Sequence, residues 1–286
     1  MNILPDPKST DQRFKVNQSL AGPTVGQTIP HDSAVGHVSG TAPYIDDLPR
    51  RTDELFVGFV GSPVASGKLK SIDTQAVKTA PGVVGVFTHE DVGKHNIFGP
   101  LICDEPFLAE SKLMYVGQPV VVIAATSAEA LADAKALVKI EFSETDPVLD
   151  IATAIGTEGF IGPRRQIRRG DPDKAIADSP HQLSGEFNIG GQEQFYLESQ
   201  AAAAYPGEQG QLIIHSSTQN TTEIQVMVAE VLGLSQHQIV CICKRMGGAF
   251  GGKETQAVIP ALMVALVASK TGQAARIVYD LSLIHI

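Results

Sequence analysis

Basic charge is scarce in this sequence. Its 286 residues carry 22 Lys and Arg against 31 Asp and Glu, a formal net charge of −9. A surface that holds nucleic-acid phosphates needs a basic footprint, so the deficit argues against nucleic acid as a partner. The basic cluster Arg164, Arg165, Arg168 and Arg169 reads as a solvated loop or a subunit-contact surface, with anion binding as the alternative. Cysteine is sparse as well. Three thiols in a chain of this length make no disulfide framework. Cys241 and Cys243 alternate within an apolar, strand-like run and are expected on one face, as buried thiols acting as small hydrophobes; a metal or redox pair is the alternative. Long apolar runs are missing too. The longest candidate, Ala257 to Ala268, is too short to span a bilayer and contains Pro260. Met1 to Lys15 mixes Asp, Lys, Pro and Arg without an apolar core, so no secretory signal is read there. These absences together point to a cytoplasmic protein without membrane contact.

What is present is ordinary for a globular protein. Hydrophobic residues make up 43% and charged residues 19%, and the length allows two domains and a sizeable core. Residues 1–30 are polar and proline-bearing and read as an extended arm. From residue 31 the texture is compact. Strands are predicted at Glu54 to Gly61, Val83 to Phe87, Val120 to Ala125 and Lys139 to Phe142. Helices are predicted at Ser71 to Thr79 and at Ala128 to Val138, the second capped by Ser127. Residues 146–180 form a connector rich in Gly and Pro, with a domain boundary near 150. The second domain opens at His181. Its predicted strands are Gln182 to Ile189, Ala201 to Tyr205, Gln211 to Ser216, Gln238 to Lys244 and Ala275 to Asp280. Its predicted helices are Thr221 to Leu232, closed by Gly233, and Thr255 to Lys270, closed by Gly272.

The most informative stretch is Lys244 to Glu254, KRMGGAFGGKE. Four glycines and one alanine in six positions join a strand to a helix. Glycine allows positive φ and close approach to main-chain N–H groups, and the following helix start adds free N–H groups and a positive dipole end. An anion or oxo-group cradle is one reading; a tight strand-to-helix turn is the other, because the spacing matches neither a P-loop nor a dinucleotide fingerprint. Glu254 is predicted on the first turn of the helix. There it either favours the helix dipole or projects into what the loop holds. Ser216 to Asn220, SSTQN, lies between a strand and a helix, a common ligand position. Thr218 or Asn220 caps that helix, and a ligand role for Gln219 is compatible with either cap. Gly190 to Glu198, GGQEQFYLE, joins two strands and either lines a pocket or satisfies turn backbone.

GGQEQFYLE, then STQN, then KRMGGAFGGKET, at these intervals, closely resemble the large molybdenum-binding subunit of xanthine dehydrogenases. GHVSGTAPYIDDLP (Gly36 to Pro49) resembles the start of the family's α/β hammerhead domain, and VGQPVVVIAATSAEALADAKALV (Val116 to Val138) resembles its later strand and helix. The resemblance runs from about residue 15 to Asp280. It implies an α+β fold: an α/β hammerhead domain at 31–145, followed at 181–280 by the first part of a molybdopterin-binding α+β domain. It implies a molybdenum–molybdopterin cofactor held by its pterin, with no protein ligand on the metal. Gln219 then corresponds to the residue that hydrogen-bonds an oxo ligand of molybdenum. Gly248, Ala249, Phe250 and Gly251 correspond to the loop that lies against the cofactor, with Ala249 in place of a frequent glycine. Glu254 corresponds to the glutamate that binds and polarises the purine; related aldehyde oxidases usually carry an apolar residue there.

The implied activity is hydroxylation of hypoxanthine- and xanthine-type purines with water-derived oxygen. Electrons pass to NAD through iron–sulfur and FAD centres on a partner subunit, in a higher oligomer of heterodimers. An aldehyde or other N-heterocycle dehydrogenase is one alternative, and a non-catalytic assembly module is another. The family's catalytic base, substrate-clamping arginine and stacking phenylalanines are expected beyond residue 286, so the chain by itself is expected to be an inactive fragment. One back-translation of the ending Leu281 to Ile286, LSLIHI, CTG TCT CTT ATA CAC ATC, reproduces the end of a transposase adaptor, so the segment reads as a sequencing-adaptor artefact; an ordinary apolar strand is the alternative.

Overall fold

The computed structural model describes residues 28–92 and 95–280. Most of the arm expected at 1–30, and the ending 281–286, lie outside the described residues. The chain forms two compact units, Met1–Ala42 and Pro43–Ile286. The first contains α1 (Ala34–Ser39), closed by Gly40 at φ 70°, a left-handed position that glycine adopts without penalty.

The second unit has α+β architecture. It begins with β1 (Leu55–Gly61), β2 (Gly67–Asp73), α2 (Gln75–Lys78), β3 (Val83–Phe87) and α3 (His89–Val92). The short strands β4 (Ile97–Phe98), β5 (Glu105–Pro106) and β6 (Lys112–Leu113) follow, then β7 (Pro119–Ala125), α4 (Ala128–Ala136) and β8 (Lys139–Glu144). Two short helices, α5 (Ile151–Gly156) and α6 (Pro172–Ala177), lie in the expected connector. The chain continues with β9 (Ala201–Pro206), β10 (Leu212–Ser216), α7 (Thr221–Leu232), β11 (Ile239–Ile242), α8 (Val258–Thr271) and β12 (Ala275–Val278).

One seven-stranded sheet, in the order β11-β10-β9-β12-β1-β7-β3, takes strands from both sides of residue 150. The join is the parallel pair β1–β12, with Leu55 opposite Ala275. A second sheet orders β6-β2-β8. β7 is buried along its whole length, as its unbroken apolar run requires. α8 is buried at every position from Val258 to Ala268. A helix apolar on all sides belongs inside a core, and each fully buried large aliphatic side chain contributes about 1.5–3 kcal/mol. Ala202 and Ala204 of β9 share the core of α8, while Ala203 faces the opposite cluster with Tyr205 and Ala274, as the two-residue period of a strand dictates.

The sheet's centre is pinned by Arg276 of β12, whose side chain is wholly buried. Its Nη2 donates to Glu54 Oε2 (3.2 Å), and Nε lies 2.7 Å from Oε1. Nη1 donates to the carbonyls of Ile45 (3.0 Å) and Leu48 (2.7 Å), and Nη2 also donates to the Tyr205 hydroxyl (3.3 Å).

Three expectations change. Ser71 to Asp73 complete β2 opposite β8, and only Gln75–Lys78 is helical. A β-bulge between Leu69 and Ser71 sends both Leu69 and Ile72 into the core; this three-residue spacing imitates a helix. The strand expected at Gln182 to Ile189 does not form. Its alternation is strand-like, but no neighbouring strand pairs with it, and Leu183 and Phe187 are 104% and 90% exposed. Finally, α8 starts at Val258 rather than Thr255, so Glu254 stands in a bend before the helix and not on its first turn.

Candidate functional site

β10 and β11 are adjacent and parallel, with Leu212 opposite Ile239 and His215 opposite Ile242. The loops that follow them therefore leave from the same end of the sheet. β9 is antiparallel to β10, with Ala202 opposite Ser216, so the segment entering β9 arrives at that end too. Topology alone thus gathers the three stretches singled out in the sequence: the end of Gly190 to Glu198, Ser216 to Asn220, and the glycine-rich loop.

The last two are sewn together through Gln219. Its Oε1 accepts from the backbone N–H groups of Gly251 (3.1 Å) and Lys253 (3.4 Å). Its own N–H donates to the carbonyl of Lys253 (2.9 Å), which also accepts from the Thr218 hydroxyl (3.3 Å). Two N–H donors can face only the carbonyl end of the amide. The Gln219 NH2 group consequently points away from the loop, and among the described residues it makes no hydrogen bond. Asn220 supplies the cap of α7, its Oδ1 accepting from Glu223 N–H (3.1 Å). The cap and an available Gln219 coexist.

Each glycine of the loop has its own reason. A Cβ at Gly247 would lie 2.5 Å from Glu198 Cβ, and one at Gly252 would lie 2.7 Å from the Tyr196 ring. Gly248 and Gly251 hold φ of 100° and 96°, which side-chain-bearing residues seldom adopt. Ala249 is buried and is not among the positive-φ residues, so its methyl is accommodated. Phe250 is left-handed at φ 54°, and the residue is 76% exposed. Such a backbone costs about 1–3 kcal/mol and collects at ligand sites. Among the described residues the N–H groups of Gly248, Ala249 and Phe250 have no acceptor. Glu254 is exposed and, among the described residues, makes no hydrogen bond or ion pair. The loop and Gln219 are therefore in direct contact, while Glu254 stands beside them on the chain.

Beneath the loop lies a buried polar cluster that the sequence did not disclose. Glu198 Oε2 accepts from Gly247 N–H (2.7 Å) and the Ser217 hydroxyl (2.7 Å). The wholly buried Lys253 ammonium donates to Glu198 O (2.6 Å), Ser217 Oγ (2.8 Å) and Glu198 Oε2 (3.3 Å), and sits 4.5 Å from the centre of the Tyr196 ring. Burial lowers the Lys253 pKa, opposed by the Glu198 carboxylate. Glu198 Oε1 is buried without a hydrogen-bond partner among the described residues. The sequence signal was slight: a lysine and a glutamate at the ends of two motifs, 55 residues apart.

The remaining candidates fall elsewhere. Cys241 and Cys243 are half-buried free thiols, and burial, with Cys243 adding, pushes the Cys241 thiol up to about 12. Among the described residues no three His, Cys, Asp or Glu side chains gather as metal ligands. The arginine cluster is exposed, with Arg168 paired to Asp171 and Asp173. No described helix is long and apolar enough to cross a membrane.

Comparison with known proteins matches both halves of the chain. Residues 39–146 match the family described as aldehyde oxidase and xanthine dehydrogenase, a/b hammerhead domain, and residues 158–283 match the molybdopterin cofactor-binding domain. The chain is 41% identical over 255 residues to a xanthine dehydrogenase of Emericella nidulans, covering 88% of this chain and 19% of that protein. It is 38% identical over 272 residues to aldehyde oxidase 1 of Oryctolagus cuniculus, covering 94% of this chain and 20% of that protein. It thus spans about a fifth of the length of these curated relatives. Among solved structures it is similar to quinoline 2-oxidoreductase from Pseudomonas putida 86, with TM-score 0.78 and 26% identity, covering 90% of this chain and 35% of that one.

Proposed function

The chain belongs, over its hammerhead and molybdopterin-binding domains, to the aldehyde oxidase and xanthine dehydrogenase family, and from that premise we propose that it forms part of the molybdenum-cofactor unit of a xanthine dehydrogenase. Hypoxanthine- and xanthine-type purines are the proposed substrates. Electrons are passed through iron–sulfur and FAD centres on a partner subunit to NAD, within a higher oligomer of heterodimers. The hammerhead domain is assigned to 31–145, the connector to 146–180 and the start of the cofactor-binding domain to 181–280.

The observation that carries this reading is the fixed direction of the Gln219 amide. Its oxygen is held by Gly251 and Lys253 N–H, so its NH2 is presented outward as a donor. The unpaired N–H groups of Gly248, Ala249 and Phe250 belong to the adjoining loop. These donors fit a group that presents oxygen acceptors, as a molybdenum–molybdopterin cofactor with oxo ligands does. When bound, that group supplies two-electron oxidation of a heterocycle carbon with oxygen from water.

The chain's own residues bind and orient. Gln219 donates toward an oxo ligand without moving, because its acceptor side is already engaged. Gly248, Ala249, Phe250 and Gly251 seat the cofactor with main-chain atoms, and the left-handed Phe250 keeps its ring on the open side of the loop. Glu254, free of competing partners among the described residues, accepts hydrogen bonds from a purine and stabilises charge that develops on the ring. Preorganised donors and acceptors of this kind are worth about 3–4 kcal/mol in a transition state.

The test compares hypoxanthine and xanthine with an aromatic aldehyde as substrates of the holoenzyme carrying this chain, for the parent and for Glu254→Ala. The expected result is a purine preference that falls by about 100-fold in the variant. The 38% identity to an aldehyde oxidase supports a second reading, an aldehyde or other N-heterocycle dehydrogenase. Under it, aldehyde turnover dominates and the variant keeps it.

A further inference from the structure

The buried cluster under the glycine-rich loop holds three segments that are far apart in sequence. Lys253 belongs to the loop, Ser217 to the stretch after β10, and Glu198 to the segment entering β9. Each contributes side-chain atoms that the others need. The ammonium has three N–H donors, and all three are used: on Glu198 O, Glu198 Oε2 and Ser217 Oγ. The Ser217 hydroxyl has one proton, and it goes to Glu198 Oε2. Glu198 then reaches the opposite end of the loop, at Gly247 N–H. Both ends of the loop, residues 247 and 253, are therefore tied to one carboxylate.

Above this cluster the backbone of Lys253 does the second half of the work. Its N–H and its carbonyl bind Gln219 Oε1 and Gln219 N–H respectively. A shift of Lys253 therefore turns the Gln219 amide.

We propose that Glu198, Ser217 and Lys253 are positioning residues: one buried ionic node that sets the height of the glycine-rich loop and, through the Lys253 backbone, the aim of the Gln219 amide toward the cofactor. The inference rests on the cofactor reading above for its purpose, but its geometry stands without it. Burying a charge pair costs desolvation that a hydrophobic replacement would avoid. What the ionic version adds is direction: a lysine with three engaged donors and a carboxylate oxygen that accepts from Gly247 N–H, the Ser217 hydroxyl and the Lys253 ammonium restrict the loop geometry. A void filled by apolar side chains would permit several.

The test uses Lys253→Met, the double variant Glu198→Gln/Lys253→Met, and Val57→Ala as a core control away from the site. Amide hydrogen exchange is followed at Gly247, Gly251 and Lys253 and, separately, in β9. In Lys253→Met the loop amides are expected to exchange at least tenfold faster while β9 stays as in the parent. The double variant removes the stranded charge and is expected to recover part of that protection. Val57→Ala is expected to leave the ratio of loop to β9 exchange unchanged. Unchanged loop exchange in Lys253→Met, or an equal rise in loop and β9, would overturn the node. Pterin content of the holoenzyme carrying this chain separates the two claims. A tenfold loss in Lys253→Met alongside loosened loop amides supports both. Full pterin content despite loosened amides refutes the link to the cofactor, and a parent without pterin refutes the proposed function, whichever way the exchange pattern falls.

Discussion

Arg276 and Lys253 both have wholly buried side chains, and each faces a glutamate: Glu54 for Arg276, Glu198 for Lys253. The first pair is closed. Glu54 is as buried as its partner, its Oε1 lies within ion-pair distance of Arg276 Nε and Arg50 Nη1, its Oε2 accepts from Arg276 Nη2, and the remaining guanidinium nitrogen is spent on two carbonyls. The second pair is open on one side. Glu198 keeps 12% of its side chain exposed, has its lysine on Oε2 alone, and shares that oxygen with a serine and a backbone amide. The planar fork of arginine suits a fixed joint between strands; the rotatable ammonium of lysine suits the seam between loops. One device holds the sheet together across β1 and β12, and the other holds a ligand loop above it.

The comparison can be broken from its strongest side first. Arg276→Met leaves the buried Glu54 with only the part-exposed Arg50, 3.4 Å from Oε1, as a charged partner, and is expected to destabilise the fold by about 3 kcal/mol in denaturant titration. Glu54→Gln/Arg276→Met should return most of that loss. Lys253→Met is expected to cost less, about 1–3 kcal/mol, because Glu198 retains solvent contact and two other donors. If the two lysine and arginine variants lose equal stability, the distinction between joint and seam fails. Asn220→Ala removes the cap of α7 and should cost about 1 kcal/mol, measured by thermal unfolding.

The pH dependence sharpens the contrast further. Burial lowers the folded-state pKa of Lys253 below its usual 10.5. Between the two values the unfolded chain binds more protons, so stability should rise with pH across that window. The parent should show this rise and Lys253→Met should lack it. The smallest effect concerns the thiols. Cys103 is exposed, whereas burial pushes Cys241 up to about 12. Brief iodoacetamide treatment at neutral pH should label Cys103 and spare Cys241, as read by peptide mass.

Where structure follows from neighbours in sequence, it was legible. Ser127 caps α4, Gly233 and Gly272 close α7 and α8, and the unbroken apolar run of β7 lies buried, because caps, αL glycines and apolar runs are local signals. The glycine loop and Gln219 were recognisable by motif and do lie in contact. What escaped depends on distant partners. Glu54 and Arg276 are 222 positions apart, and no spacing announces their union or the sheet that joins β1 to β12. Glu198 and Lys253 escaped for the same reason. The bulge in β2 hid a strand behind helical spacing. Lys253, whose side chain is buried and whose carbonyl is held by Gln219 and Thr218, accompanies the run of turns that delays α8 and leaves Glu254 outside it.

The most direct measurement is amide exchange at Gly248, Ala249 and Phe250 in holoenzyme carrying this chain, with the molybdenum–molybdopterin cofactor present and after its removal. These three N–H groups have no acceptor among the described residues. If the loop seats the cofactor, they become protected when it is present and exchange freely when it is gone, while β9 is unaffected. Equal, rapid exchange in both states would contradict the cradle and the assignment of Gln219 that rests on it.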